Sequence, residues 1–222
     1  PTNSCKQACV SSEITKPVKV APHSLDISKY DSAKYIESGS KIENLLHTFN
    51  FAFVGEFLER KNIQALARAF HSEFDPDEPV NLFIKTSQQT LDYIQNYFTQ
   101  VRQGLKLSRG EGFCIPALEA MAIGIPVIYT EDTGMDDFCY GSPVHSNSSP
   151  CFGAVSTLDY LYTARESWRE IDVEHLMICM RSVFMKWKTE IATQESQEAI
   201  KRARKFSHKE VGLKLKEILN DH

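Results

Sequence analysis

The sequence predicts an α/β fold, a parallel sheet covered by helices, and three observations predict it. Short apolar runs rich in β-branched and aromatic residues alternate with helical patterns, which is how a chain writes strands connected by crossover helices. The best defined of those crossovers has apolar residues at helical spacing. The chain then closes on helical patterns alone. With 222 residues, 42% of them hydrophobic, there is enough apolar surface to bury a sizeable core.

In chain order, "VKVA" (18–21) reads as the first strand and "FAFVG" (51–55) as the second, with the polar, Ser-rich stretch 30–46 as the loop between them. "NIQALARAFHSEF" carries Ile63, Leu66, Ala67, Phe70 and Phe74 on one helical face, with Asn62 available as a cap and "DPDEP" as the turn that ends it. "VNLFIK" (80–85) is the next strand, and a helical pattern follows over 87–107. That pattern runs into "SRGEGF" with no apolar strand between them. A short helix is predicted over 116–123, because Pro116 suits a first helical position, Leu118, Met121 and Ala122 make an apolar face, and Gly124 suits the residue past the end. "PVIYT" (126–130) and "FGAVS" (152–156) read as strands, and 140–151 as a long loop between them. From Glu174 three helices follow, the last introduced by Ser207 and Glu210 in the spacing of a capping box.

Composition narrows the function. A net charge of -4 and a pI near 6.0 lack the basic excess of a nucleic-acid binder, and the locally basic "KRARKFSHKE" (201–210) reads as a solvated helix face, with a phosphate or membrane patch as the alternative. The six cysteines form no C-x-x-C pair, so they read as thiols in a reducing compartment. No apolar run reaches the ~20 residues of a membrane span, and no charged-then-apolar leader opens the chain. The expected address is the cytoplasm, with peripheral contact at a membrane surface as a variant of it.

The chemistry concentrates in "LSRGEGFCIPALEAMAIGIPVIYTEDTG", where Glu111 and Glu119 stand eight positions apart around a Gly-Phe-Cys-Ile-Pro turn. Gly110 and Gly112 let backbone approach a ligand closely. The amides of Gly112, Phe113, Cys114 and Ile115, with the helix dipole behind them, form an anion site that needs no basic side chain. Glu111 lies just before that site and Glu119 in what reads as the first turn of the helix, so each can accept hydrogen bonds from hydroxyls flanking a phosphate. The alternative is that both acids merely favour the positive end of a helix, worth roughly 0.3–1 kcal/mol.

"SRGEGFCIPALEAMAIGIPVI" closely resembles the E-x7-E signature of the retaining glycosyltransferases of family 4, also called group 1. The likeness extends along almost the whole chain: "KPVKVAPHSLDIS" and "FAFVGEFLERKNIQALARAF" resemble the opening strands of that family's nucleotide-sugar domain, and "VEHLMICMRSVF" and "AIKRARKFSHKEV" its closing helices. The resemblance implies a Rossmann-like domain, residues 1–222, forming the C-terminal half of a GT-B glycosyltransferase, with 1–17 as hinge or linker, 174–222 as closing helices, and an N-terminal acceptor domain absent from this chain. It also implies that a segment of about 25 to 30 residues is missing between about Leu105 and Ser108.

By matched position, Glu111 resembles the glutamate that contacts the donor sugar and is the candidate catalytic residue. Glu119 resembles the one that holds the ribose hydroxyls, and the amides at 112–115 face the sugar and distal phosphate. Cys114 stands where glycine is commoner, and no base nearby marks it as a nucleophile. Lys61 matches the family's diphosphate lysine, but the arginine position holds Glu56, and Arg60 is the residue able to restore the charge. Thr133 and Gly134 in "TEDTGMDD" match a loop near the donor, while Asp136 and Asp137 read as helix caps rather than a metal pair. His23 in "PHSLD" matches a cleft-facing position, with a structural histidine as the equal alternative.

The implied activity is transfer of a sugar from a nucleotide-diphosphate donor to an acceptor hydroxyl of a glycan, lipid or other compound, with retained configuration. Neither a metal nor another cofactor is expected, and no nucleic acid. The fragment alone is expected to bind donor and to turn over poorly. The competing reading is a non-catalytic nucleotide-sugar-binding or scaffold module of the same fold. A phosphorylase is disfavoured, since no pyridoxal-binding lysine motif is present.

Overall fold

The computed structural model describes residues 1–30, 47–56, 58–87, 109–151 and 165–220. Along the chain the regular elements are α1 (Asn3–Ser11), β1 (Phe49–Val54), α2 (Ile63–Glu73), β2 (Val80–Lys85), α3 (Ile115–Ala122), β3 (Val127–Thr130), β4 (Gly141–Val144), β5 (Ser146–Pro150), β6 (Ser167–Ile171), α4 (Val173–Lys186), α5 (Glu190–Arg204) and α6 (His208–Asn220). Among the described residues the strands make three two-stranded sheets, β1 with β2, β3 with β4, and β5 with β6. The expected helix over 87–107, the strand at 152–156, nearly all of the loop 30–46 and the suspected gap near Leu105 lie outside the described residues.

Two compact units result. The first draws on Pro1–Lys41, Glu111–Pro143 and Lys188–His222, the second on Ile42–Gly110 and Val144–Trp187. In the first, α3 is buried through Ala117, Leu118, Met121 and Ala122, which pack with Tyr129, Met135, Phe138 and Cys139 and with Ala199 and Ala203 of α5. The small residues let α5 lie close against α3. Gly124 then ends α3 in a left-handed conformation, φ 86°, which a residue with a Cβ adopts at a cost. Burial pushes the Cys139 thiol up far beyond the ordinary range, so it serves as core and not as a reactive group.

In the second unit β1 and β2 are parallel, registered from Phe49 opposite Val80 to Val54 opposite Lys85. Ile63 and Ala67 of α2 lie on Phe53, Leu82 and Ile84, while Phe51 meets Phe70 and Phe74 at centroid distances of 6.3 and 5.8 Å. The helical spacing read from the sequence is therefore the face that covers the sheet. Two arginines fasten the periphery. Arg109, 4% exposed, donates to Glu59 at 2.7 Å and lies 4.2 Å over the ring of Trp168. Its Nε stands 2.7 Å from Glu170 Oε2 off the hydrogen-bond axis, an attraction that is Coulombic.

Arg181 of α4 donates to Glu73 Oε1 at 2.6 Å and to both oxygens of Glu78, and its guanidinium lies 4.4 Å over Phe74. The hydrogen bonds from Arg181 hold the Glu78 carboxyl well down, from an ordinary value near 4.5 to about 2. A lowered folded-state value adds stability above the unfolded value and loses it on acidification. The second unit is therefore expected to weaken as pH falls from about 4.5 through about 2. Acid titration followed by circular dichroism checks this, and Arg181→Met is expected to remove that part of the pH dependence.

Several expectations need correction. Residues 18–21 form no strand: they alternate in burial, and the nearest pairing among the described residues is an isolated bridge between Leu25 and Ser207. Residues 140–151 are not a loop, since they contain β4 and β5, and β5 is held antiparallel to β6 from Ser146 opposite Ile171 to Pro150 opposite Ser167. Asn62 precedes α2, but at φ 54° it is left-handed, where its side chain cannot reach back to the first amides, and it makes no capping bond. The Ser207 box is half-formed: Ser207 Oγ accepts from the Glu210 amide at 3.3 Å, while the Ser207 amide goes to the Arg204 carbonyl.

Candidate functional site

The loop of residues 111–114 and helix α3 belong to the first unit. The intrahelical ladder opens with the amides of Ala117 and Leu118 bonding to the Cys114 carbonyl, at 3.1 and 3.3 Å, so the helix starts at Ile115 with Pro116 in its first turn, where the missing N–H is no loss. Cys114 is the N-cap residue and its side chain caps nothing. Ile115, the first residue of the helix, is 44% exposed.

Both carbonyls ahead of the helix are pinned. The Glu111 carbonyl accepts from the Gly134 amide at 2.9 Å, and the Gly112 carbonyl accepts from the Thr2 hydroxyl at 2.9 Å and the Cys5 thiol at 3.6 Å. In a planar trans peptide the N–H points opposite to the C=O. The Gly112 amide is therefore aimed away from Gly134, and the Phe113 amide away from Thr2. The Phe113 ring is committed to packing: it stacks on Phe138 at 4.3 Å and 13°, and meets His23 edge-on at 5.1 Å. His23 thus packs against the loop's aromatic residue, and what Phe113 offers a ligand is its backbone.

Thr133 is 5% exposed, and its hydroxyl works locally, donating to the Thr130 carbonyl at 2.9 Å and accepting from the Met135 amide at 3.3 Å. Asp136 Oδ2 accepts from the Thr133 amide, closing a capping box on the short turn Gly134–Asp137, and Asp137 accepts from the Asn3 amide. Burial pushes the Asp136 carboxyl up. Both acids act as caps, as the sequence suggested. Gly134 is required for contact: a Cβ there would sit 2.5 Å from the Gly112 oxygen and 2.7 Å from the Glu111 oxygen.

Glu119 lies one residue further into the helix than the sequence placed it, just past the first turn. Because α3 begins at Ile115, Glu119 is its fifth residue and no acid occupies the first turn. Its Oε1 accepts the Tyr30 hydroxyl at 2.6 Å. Glu111, half-buried, leads directly into the pinned loop.

Arg60 and Lys61 belong to the second unit, on the short turn Glu59–Lys61. Arg60 Nη1 donates to the Gly110 carbonyl at 2.7 Å, and the Arg109 amide donates to the Arg60 carbonyl at 2.6 Å. The Lys61 chain passes Gly55, where a Cβ would lie 3.8 Å from its Cδ. Glu56, at the position of the expected arginine, accepts the Ser87 hydroxyl at 2.8 Å. Within the first unit the structure thus joins Glu111, Gly112, Phe113 and Cys114 on the loop, Ile115 and Glu119 on helix α3 that follows it, and Thr133 and Gly134 on the neighbouring turn.

Sequence reasoning missed Tyr30, Thr2 and Cys5. Each touches the loop or Glu119 across 89 to 110 residues of chain, and no spacing rule spans that distance.

No protein-family model and no curated protein matches the chain. Solved structures do. HepE from Anabaena, crystallised with UDP, superposes with a TM-score of 0.68 at 14% identity, over 100% of this chain and 62% of that one. Its complex with UDP and glucose gives 0.66 at 13% identity, with the same coverage. A glycosyltransferase from Rickettsia africae ESF-5 gives 0.64 at 15% identity, over 99% of this chain and 62% of that one. The chain thus spans 62% of the length of each of these three structures. At these identities the likeness is one of fold, and the fold is the expected one: mixed α/β, with helices flanking a parallel pair, as in GT-B glycosyltransferases. Among the described residues no helix is long and apolar enough to cross a membrane.

Proposed function

We propose that this chain is the donor-binding half of a retaining, group 1 glycosyltransferase. The observation that carries the reading is the loop of residues 111–114, whose carbonyls are tied back to Gly134 and Thr2, so that its amides lead into the N-terminus of α3. Backbone amides held in this way favour an anion at little reorganisation cost. The fold it shares with a protein crystallised with UDP, and with UDP and glucose, supports a nucleotide-sugar as that anion.

In this reading the amides of Gly112, Phe113, Cys114 and Ile115 take the distal phosphate, Glu111 contacts the sugar, and Glu119 accepts the ribose hydroxyls. Gly134 acts by holding the loop, and Thr133 by capping the turn that carries Gly134. Arg60 and Lys61 are assigned to the diphosphate charge by the resemblance alone. Transfer then proceeds by same-face attack: the donor's bond from anomeric carbon to phosphate oxygen breaks, the acceptor oxygen bonds to that carbon, and the departing phosphate takes the acceptor proton. No metal and no base on this chain is required. The acceptor, a glycan, lipid or other hydroxyl compound, is held largely by a preceding domain, and the work is done in the cytoplasm.

Titration calorimetry with UDP, GDP and ADP tests the reading. One of the three is expected to bind, and Glu119→Ala is expected to weaken it about 10- to 100-fold, the cost of losing hydrogen bonds to a charged acceptor. Absence of heat with all three would overturn the reading. A second reading, a nucleotide-sugar-binding module without transfer, is favoured by Glu56, which replaces a phosphate-binding arginine with a carboxylate already bonded to Ser87. Binding without transfer once a preceding domain is supplied would select it.

A further inference from the structure

We propose that Tyr30 is a positioning residue for Glu119, fixing its carboxylate for the hydroxyls of a bound nucleoside; this rests on the donor-binding reading above. The Tyr30 hydroxyl donates to Glu119 Oε1 at 2.6 Å, the short distance of a bond to a charged acceptor. A carboxylate accepts along about four directions, so one bond to Oε1 leaves Oε2 and a second direction on Oε1 for ligand hydroxyls. A glutamate on a helix surface otherwise samples many rotamers, and a ligand that binds it has to order it. Tyr30 supplies that order in advance.

The support is rigid from below. Tyr30 ends the short turn Ile27–Lys29, its amide bonding to the Ile27 carbonyl at 3.0 Å. That turn is closed by Asp26, which accepts the Ser28 hydroxyl at 2.6 Å and pairs with Lys29 at 3.4 Å. Just before it, the Leu25 amide bonds to the Phe206 carbonyl at 2.8 Å. The Tyr30 ring and Ile27 both pack on the core that contains Leu118, Met121 and Ala122 of α3, the helix that carries Glu119. Donor and acceptor therefore stand on one packed body, the arrangement of a brace and not of a displaceable cover.

Calorimetry on the full 222-residue chain with UDP and 2′-deoxy-UDP provides the test. The native chain is expected to bind UDP more tightly than the deoxy form. Tyr30→Phe is expected to weaken UDP about five- to tenfold and the deoxy form less, which shrinks the ratio while the melting temperature stays near its native value. Glu119→Gln is expected to shrink the same ratio, and adding Tyr30→Phe to it should cost little more, since coupled residues are not additive. Equal losses for both ligands, an unchanged ratio, or tighter binding by Tyr30→Phe would each overturn the role of Tyr30 and leave the donor-binding reading standing. No UDP binding by the native chain would overturn both.

Discussion

On the donor-binding proposal, Gly134→Ala is expected to abolish measurable UDP binding, and it is expected to lower the melting temperature of the chain. The added Cβ would lie 2.5 Å from the Gly112 oxygen, 2.7 Å from the Glu111 oxygen and 2.9 Å from the Gly112 carbonyl carbon, all of them backbone atoms that cannot swing aside as a side chain does. Relief requires the loop of residues 111–114 to move bodily. The bond from the Gly134 amide to the Glu111 carbonyl would then break, and with it the restraint that aims the Gly112 amide. Overpacking of this kind costs about 1–3 kcal/mol, enough to lower the melting point without unfolding the chain at room temperature. Calorimetry with UDP and a thermal melt check it together. A variant that binds UDP normally would show that the loop's hold on Gly134 does not matter to the site. Gly212→Ala in α6 makes the control, because a Cβ there also meets no other atom within 4 Å and the residue belongs to no part of the loop.

Arg109→Met is expected to destabilise the second unit by about 2–3 kcal/mol, somewhat less than the roughly 3–5 kcal/mol that removing one member of a fully buried ion pair costs. The arginine side chain is 5% exposed, whereas its partners Glu59 and Glu170 are 40% and 38% exposed. Once it is gone the two carboxylates can hydrate, which keeps the cost below that of a fully buried pair. Lost with it is the stacking over Trp168. Its backbone bonds, the amide to Arg60 and the carbonyl to Arg169, remain available to any residue. Urea unfolding followed by circular dichroism should show the lower midpoint. Arg109→Lys should recover little, because an ammonium cannot face two carboxylates and an indole at once. An unchanged midpoint would mean that the carboxylates gain as much from hydration as the ion pairs provide.

Local patterns carried the elements that pack by pattern. The apolar alternation of β1 and β2 and the spacing of Ile63 and Ala67 on α2 state their own burial, and the three closing helices announce themselves by period. Pro116 and Gly124 bracket α3 almost as read. What the chain hides is structure supplied by distant partners. "GSPV" and "SNSSP" have no strand-like composition, yet β5 forms because β6 lies alongside and Arg169 reaches from β6 to the Ser146 hydroxyl and carbonyl at 2.9 and 3.0 Å. "VKVA" has the composition, yet it forms no strand among the described residues. In the site, the glycine loop and its acids are legible as a motif, whereas the ties that hold it come from Thr2, Cys5 and Tyr30, residues in stretches with no periodicity of their own.

Both tryptophans of the chain, Trp168 against Arg109 and Trp187 beside Phe49 at 5.8 Å, fall in the second unit. The first unit holds tyrosine as its brightest chromophore, Tyr30 and Tyr129 among them. Selective excitation of indole therefore follows the melting of the second unit alone by its emission, without attaching a dye.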